Sequence, residues 1–377
     1  MIYLLYSINC IILLVSKIVI DGRELRTSSG RYVERLLHYL QQLDTENNYQ
    51  ILLKPEDIAD WRIEAPNFSA VACPFKEFTF DEQLGLKGQI DSLNADLVHF
   101  AFAQQPILYS GKKVTTIHDL TTLRFKNPDK KRTVYATKQR VYRFVIKRAA
   151  RTSLAIFTPT NYVKSDVLAL THVPESKITV TYEAADRIIA PPSPVSNLQK
   201  NNFIMYIGRP TPHKNLERLL AAFEELRAQH PTLALVLAGK KDANYRRIEL
   251  GISAKLRPHV YFTDFVSEGQ LRWLYENCAA YIFPSLSEGF GLPGLEAMLH
   301  GAPVVSSNAT CLPEVYGSAA HYFDPLDIRA MADAINEVLT DKILRQKLIQ
   351  AGEQRASEYS WNKMAEQTLS VYRQVLT

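Results

Sequence analysis

The chain has 377 residues, 46% of them hydrophobic and 22% charged, a globular balance in a length that exceeds one ordinary core and so points to two domains. Its 44 lysines and arginines against 39 aspartates and glutamates leave +5, too small an excess to argue for nucleic acid. Cys10, Cys73, Cys278 and Cys311 stand far apart, with no CxxC pair and no His/Cys cluster, which offers neither a metal site nor a disulfide framework and fits a reducing cytoplasm.

The opening MIYLLYSINCIILLVSK is apolar, with no basic residue before Lys17. It falls short of the ~20 apolar residues of a membrane span. It also lacks the positive start and small-residue cleavage site of a secretory signal. Residues 1–16 are therefore expected to be an extension, with translation starting at Val15; an anchor or a packed segment are the alternatives.

From Lys17 strands and helices alternate. KIVID reads as a buried strand, and SGRYVERLLHYLQQL as a helix through Val33, Leu36, Leu37 and Leu40. YQILLK, ADLVHF and KKVTTIHD are further strands, residues 128–151 a long basic helix, TSLAIFTPT a strand, NYVKSDVLAL a helix with Asn161 as candidate cap, and KITVTY a strand. The Pro/Ser/Asn-rich APPSPVSNLQKNN (190–202) reads as a linker. The alternation then restarts with FIMYIG and continues through LALVLAG, VYFTDF, AAYIFPS and APVVSS, with helices from Ile328 onward. The expected fold is α/β: two Rossmann-like domains, 17–192 and 200–358, facing each other across a cleft, with ligands at the carboxyl ends of parallel strands.

The second domain carries the densest signal, PSLSEGFGLPGLEAMLHGAPVV (284–305). Glu288 follows a strand end, Gly289 and Gly291 keep the loop compact, and Pro293 suits the first turn of a helix. The amides of Phe290, Gly291 and Leu292 would then be unpaired at a helix N-terminus, where anions or sugar hydroxyls are favoured. Glu288 and Glu296 have two acceptor oxygens each and suit vicinal diols. A second cluster is YIGRPTPHKNLERLL (206–220): after Gly208, Arg209 and Lys214 precede a helix and can neutralise a diphosphate. No DxD occurs, so the leaving group is expected to rely on side chains and not on a metal.

EGFGLPGLEAM, with seven residues between its acids, resembles the retaining glycosyltransferases of family 4, which have the GT-B fold; so do IGRPTPHKNLERLLAAF, IHDLTTLRF and SGRYVERLL, in the family's order. The resemblance implies that Glu288 contacts the transferred sugar, Glu296 the ribose, and Arg209 and Lys214 the donor diphosphate. The backbone of Phe290, Gly291 and Leu292 would contact sugar and phosphates. His118 would approach the sugar's 6-hydroxyl, its carbonyl facing a cationic sugar. Gly30 would lie by the donor phosphate, although Ser28 and Ser29 stand where the family is richer in glycine. The last helix, in residues 359–377, would pack back on the first domain.

The EAAD stretch (183–186) and IHDLTTLRF look closest to bacterial mannosyltransferases of polysaccharide assembly, which leans the donor toward GDP-mannose. The nucleotide-diphosphate sugar is a substrate, and no cofactor or nucleic acid is expected. A lipid-linked glycan is one candidate for the hydroxyl acceptor: the run 124–151 has eleven Lys or Arg and one acid, with Tyr135, Tyr142 and Phe144 interleaved. That run suits a solvated face or an anionic membrane surface, which would make a cytoplasmic protein peripheral on the inner face of the membrane; RNA is the third reading, disfavoured because no aromatic platform motif accompanies the run. A sugar-nucleotide epimerase of the same fold and an inactive sugar-nucleotide-binding protein are the rival functions.

Overall fold

The computed structural model describes residues 15–27, 30–77, 79–125, 132–196, 198–200 and 202–377. The readings placed on residues 1–14 and on Ser28 and Ser29 lie outside these.

The first domain contains β1 (Lys17–Asp21), α1 (Gly30–Leu43), β2 (Asn48–Leu53), β3 (Phe68–Ala72), α2 (Lys87–Leu93), β4 (Leu97–Phe100), β5 (Lys113–Thr116), α3 (Thr121–Arg124), α4 (Arg132–Thr152), β6 (Ala155–Thr158), α5 (Asn161–Thr171) and β7 (Ile178–Val180). The second contains β8 (Phe203–Ile207), α6 (Leu216–Leu226), β9 (Ala234–Ala238), α7 (Ala243–Gly251), β10 (Val260–Asp264), α8 (Glu268–Asn277), β11 (Ala280–Phe283), α9 (Leu292–Leu299), β12 (Val304–Ser307), α10 (Leu312–Tyr316), β13 (Ala320–Phe323), α11 (Ile328–Thr340) and α12 (Lys342–Ser357). A final helix, α13 (Trp361–Leu376), follows.

Both sheets are parallel and wound alike: β3-β2-β1-β4-β5-β6-β7 and β10-β9-β8-β11-β12-β13. Strand order reverses between β1 and β4, and again between β8 and β11. These switch points open crevices at the strands' carboxyl ends, where such sheets bind ligands. Helices cover both faces of the central strands, and β4, β5, β6, β11 and β12 are buried throughout.

The α/β arrangement expected from the sequence is the one observed. The elements it missed include β3 and β13, one edge strand of each sheet, both short and only partly covered. The cap of α5 is Thr160, whose hydroxyl accepts from the Val163 amide, and not Asn161, which is already the first helical residue.

The chain crosses between domains after β7 and again after α12. The second crossing sends α13 onto α1, where Trp361, Met364, Ala365, Leu369 and Tyr372 join the first domain's core. A buried polar chain pins it: the Tyr372 hydroxyl lies 2.5 Å from His99 Nδ1, His99 Nε2 lies 2.8 Å from Thr116 Oγ1, and that oxygen lies 2.9 Å from the Tyr32 hydroxyl.

Burial, with His118 nearby, pushes the His99 imidazole down to about 3. Above pH ~6.5 both folded and unfolded chains hold His99 neutral. As pH falls from there toward the folded value, the unfolded chain takes up a proton that the folded chain refuses, so stability drops by up to about 1.4 kcal/mol per pH unit from this group. His99→Gln should flatten the wild-type loss between pH 6.5 and 4 in urea denaturation; parallel pH profiles would remove His99 as the source.

Candidate active site between the two domains

The site forms where the loop after β11 meets the strand ends of the first domain. Gly289 packs on His118: a Cβ there would lie 2.1 Å from the His118 carbonyl oxygen. The contact is flanked by two cross-domain hydrogen bonds, Thr160 Oγ1 to the Gly289 carbonyl at 3.0 Å and Thr121 Oγ1 with Ser287 Oγ at 2.9 Å. A third link lies further out. The Glu314 carboxylate, from α10, accepts from the amides of Asn161 and Tyr162 at 2.8 and 2.9 Å and from the Tyr182 hydroxyl at 2.9 Å. It caps the N-terminus of α5 across the domain boundary, where the helix dipole favours an anion.

Behind this seam the second domain builds two loops as one unit. Gly208 leaves β8 at φ +144°, and its carbonyl accepts from the Tyr245 hydroxyl at 2.8 Å. Asn215, buried and left-handed at φ +62°, donates its amide to the Pro284 and Pro325 carbonyls at 3.0 and 2.8 Å. The Leu286 amide donates to the His213 carbonyl at 2.7 Å. The loop carrying Lys214 is thereby fixed to the loop carrying Glu288, and the two charges meet: Lys214 Nζ lies 2.6 Å from Glu288 Oε1.

At the start of α9, Gly291 adopts φ +103°, and its carbonyl accepts from the buried Tyr316 hydroxyl at 2.5 Å. A Cβ on Gly294 would strike the same hydroxyl at 2.2 Å, so these glycines let α9 settle against Tyr316. The Phe290 side chain is buried against Tyr182 and Tyr359, which leaves its backbone for any ligand contact. Leu292 packs against the cores of both domains. Glu296, in the second turn of α9, is buried; it accepts from the Tyr275 hydroxyl at 3.2 Å and pairs with Arg31 of α1 across the cleft. Arg209 is exposed, with its carbonyl 3.4 Å from the Tyr206 hydroxyl.

The first-domain residues need two adjustments. His118 was expected to present its imidazole to a sugar. Its Nδ1 instead faces Glu183 Oε1 at 3.1 Å, its Nε2 faces the Ala101 carbonyl at 3.0 Å, and the ring is wedged between Tyr32 and Phe102. The atom it sets against the second domain is its carbonyl oxygen. Gly30 was expected to allow a phosphate to approach, yet a Cβ there would lie 2.0 Å from the Leu25 carbonyl oxygen and 2.3 Å from that of Glu24. Packing of α1 on the preceding loop already accounts for that glycine.

Beside His118 the first domain holds a hollow of about 230 Å³, lined among others by Asp21, Glu24, Phe102, Asp119, Thr122 and Tyr142. Its one arginine, Arg23, is spent internally on Asp21, Glu82 and the Phe75 carbonyl. Carboxylates beside aromatic walls suit a hydroxylated ring more than an anion. Among the described residues no group of three His, Cys, Asp or Glu could hold a metal ion.

The residues that sequence reasoning missed are those whose partners lie far along the chain: Glu183 behind His118, Glu314 on α5, Asn215 on two carbonyls and Arg31 on Glu296. EAAD had been noted as a pattern, and the structure gives its ends work: Glu183 meets His118, while Asp186 binds Arg35 at 2.9 Å and Trp361 at 3.1 Å.

Residues 29–189 match the family described as Glycosyltransferase Family 4, and residues 193–355 the family described as Glycosyl transferases group 1. The chain is 32% identical to O-antigen chain mannosyltransferase B of Escherichia coli over 70% of either protein. It is 26% identical to O-antigen chain mannosyltransferase RfbU of Salmonella typhimurium, over 72% of this chain and 73% of that one. Among solved structures, a sucrose-phosphate synthase from Thermosynechococcus elongatus superposes with a TM-score of 0.78 at 19% identity, covering 96% of this chain and 99% of the other.

The seam itself is testable. Gly289→Ala must lift the loop from His118 and displace Glu288 with it. Activity should fall about 10²-fold, the scale of a 1 Å misplacement, while the melting temperature changes little. Unchanged activity would mean that the contact does not position the site.

Proposed function

Because the chain belongs to the GT-B-fold glycosyltransferases of family 4, we propose that it moves a hexose, with mannose from GDP-mannose as the leading candidate, onto a glycan hydroxyl with retained anomeric configuration. The observation that carries this reading is the joined pair of loops in which Lys214 and Glu288 sit together at the β8/β11 switch point, facing the strand ends of the first domain. The O-antigen mannosyltransferases it is similar to support mannose and polysaccharide assembly.

In this mechanism the bond from sugar C1 to the donor's phosphate oxygen breaks and its electron pair leaves with the diphosphate. Lys214, Arg209 and the backbone amides at the start of α9 stabilise that charge. Glu288 holds hydroxyls of the departing sugar, and Glu296 the ribose. The His118 carbonyl offers its dipole to the cationic ring. The acceptor hydroxyl, entering from the acid-lined hollow, forms the new bond on the face that the diphosphate leaves, and its proton passes to a phosphate oxygen. No carboxylate of this site is assigned as a covalent nucleophile.

Mass spectrometry with a panel of donors and glycan acceptors tests the transfer itself. Lys214→Ala should lower turnover by roughly 10²–10³ and weaken diphosphate binding; full activity would remove Lys214 from the mechanism. Glu288→Gln should lower kcat, whereas Glu296→Gln should mainly raise donor KM, because ribose is held about equally in ground and transition states. The reverse pattern would exchange their roles. EDTA should leave activity intact, and loss restored by Mn²⁺ would contradict a metal-free leaving group.

The acceptor side extends the proposal to a membrane surface. No described helix is long and apolar enough to cross a membrane. On α4, Val141 and Phe144 are each 56% exposed, beside basic Arg140, Arg143 and Lys147. Apolar side chains among cations suit an anionic headgroup layer, at about 1 kcal/mol per basic residue near the surface. Within the basic run 124–151, Lys126, Lys130 and Lys131 lie outside the described residues, while Lys138, Arg140, Arg143 and Lys147 are on α4. Neutralising Lys138, Arg140 and Lys147 together should reduce binding to anionic vesicles and activity on a lipid-linked acceptor, with a soluble acceptor unaffected. Wild-type indifference to such vesicles at low salt would make α4 a solvated face.

A further inference from the structure

Glu296 is a buried carboxylate whose two oxygens are held from opposite domains. Tyr275, on α8, donates to Oε2 at 3.2 Å, and Arg31, in the first turn of α1, reaches across the cleft to Oε1 through Nη1. Each carboxylate oxygen can accept more than one hydrogen bond, so this pinning leaves Glu296 able to hold a ribose diol. The Arg31 side chain is 42% exposed while that of Glu296 is 9% exposed. With Nη1 committed, the guanidinium still carries Nε and Nη2 as donors. No acid stands in the first turn of α1, so the positive end of that helix adds to the Arg31 charge.

The chemistry of a nucleotide fixes what lies next to such a group. A diphosphate is bonded to the 5′ carbon of the same ribose whose 2′ and 3′ hydroxyls would sit on Glu296. A cation in contact with that carboxylate is therefore within a side chain's reach of the diphosphate, and it comes from the other domain than Arg209 and Lys214. Arginine's planar fork suits phosphate oxygens.

We propose that Arg31 is a donor-positioning residue supplied by the first domain: it orients Glu296 for the ribose and donates its remaining N–H groups to the donor diphosphate, so that one ligand ties both domains together. The proposal rests on the nucleotide-sugar reading above and adds to it a residue and a domain of origin.

Calorimetric titration of the full chain with GDP, UDP, guanosine and uridine tests it. Arg31→Ala should weaken the preferred nucleoside diphosphate about tenfold or more, the scale of one charge-assisted hydrogen bond. It should weaken the matching nucleoside far less, and Arg31→Lys should recover part of the loss. The salt dependence of diphosphate binding should become shallower in Arg31→Ala. Equal losses for nucleoside and diphosphate, or no loss, would overturn the proposal. Should Arg31→Ala fail to fold, Arg31→Gln, which keeps an amide for Glu296 and removes the charge, carries the same comparison. If the wild type binds neither GDP nor UDP, the donor reading fails and Arg31 falls with it; if the wild type binds and the variant binds equally, only the role of Arg31 is lost.

Discussion

Everything at the cleft depends on one close approach, the loop after β11 laid against the His118 carbonyl at Gly289. Each Rossmann-like domain has its own core, but the groups at the cleft are divided between them. The seam brings Glu288 and Lys214 of one domain beside His118 and the acid-lined hollow of the other. A side chain at position 289 would hold them apart. The flanking bonds from Thr160, Thr121 and Glu314 are individually modest, each on the order of 1 kcal/mol for neutral partners and somewhat more for the carboxylate. Together they fix orientation, which matters more to the chemistry than their sum matters to stability.

The charges are arranged in compensated pairs along that seam. Lys214 faces Glu288 and Arg31 faces Glu296. Each pair keeps a partly buried charge from standing alone. Each also leaves capacity for a ligand: lysine has three donors, arginine five, and a carboxylate several acceptor sites. A nucleotide sugar brings the complementary inventory, a diphosphate for the cations and two sets of hydroxyls for the carboxylates. The first-domain hollow differs in kind, because its arginine is spent on internal carboxylates and its outlook toward a ligand is acidic. In the proposed mechanism donor and acceptor are thus separated by charge as well as by domain.

Much of this was legible in the sequence because it is local. Strand-helix alternation comes from apolar periodicity, and KIVID or AAYIF announces a strand buried on both faces. The acids around EGFGLPGLEAM and the cations after Gly208 lie within short windows that place them at strand ends. What could not be read is pairwise and distant. Nothing near His118 says that Glu183 will occupy one ring nitrogen and the Ala101 carbonyl the other. Nothing near Gly30 says that its missing side chain answers the carbonyls of Glu24 and Leu25, so the family resemblance suggested a ligand role for a glycine that packing already requires.

The central claim is that the two domains form one site in which the acceptor attacks on the face that the diphosphate leaves. The most direct measurement is nuclear magnetic resonance of the glycan product made from GDP-mannose, reading the configuration at the new anomeric carbon. The account predicts the configuration that the sugar had in the donor. An inverted product, or donor consumed to a new sugar nucleotide without any acceptor, would contradict it.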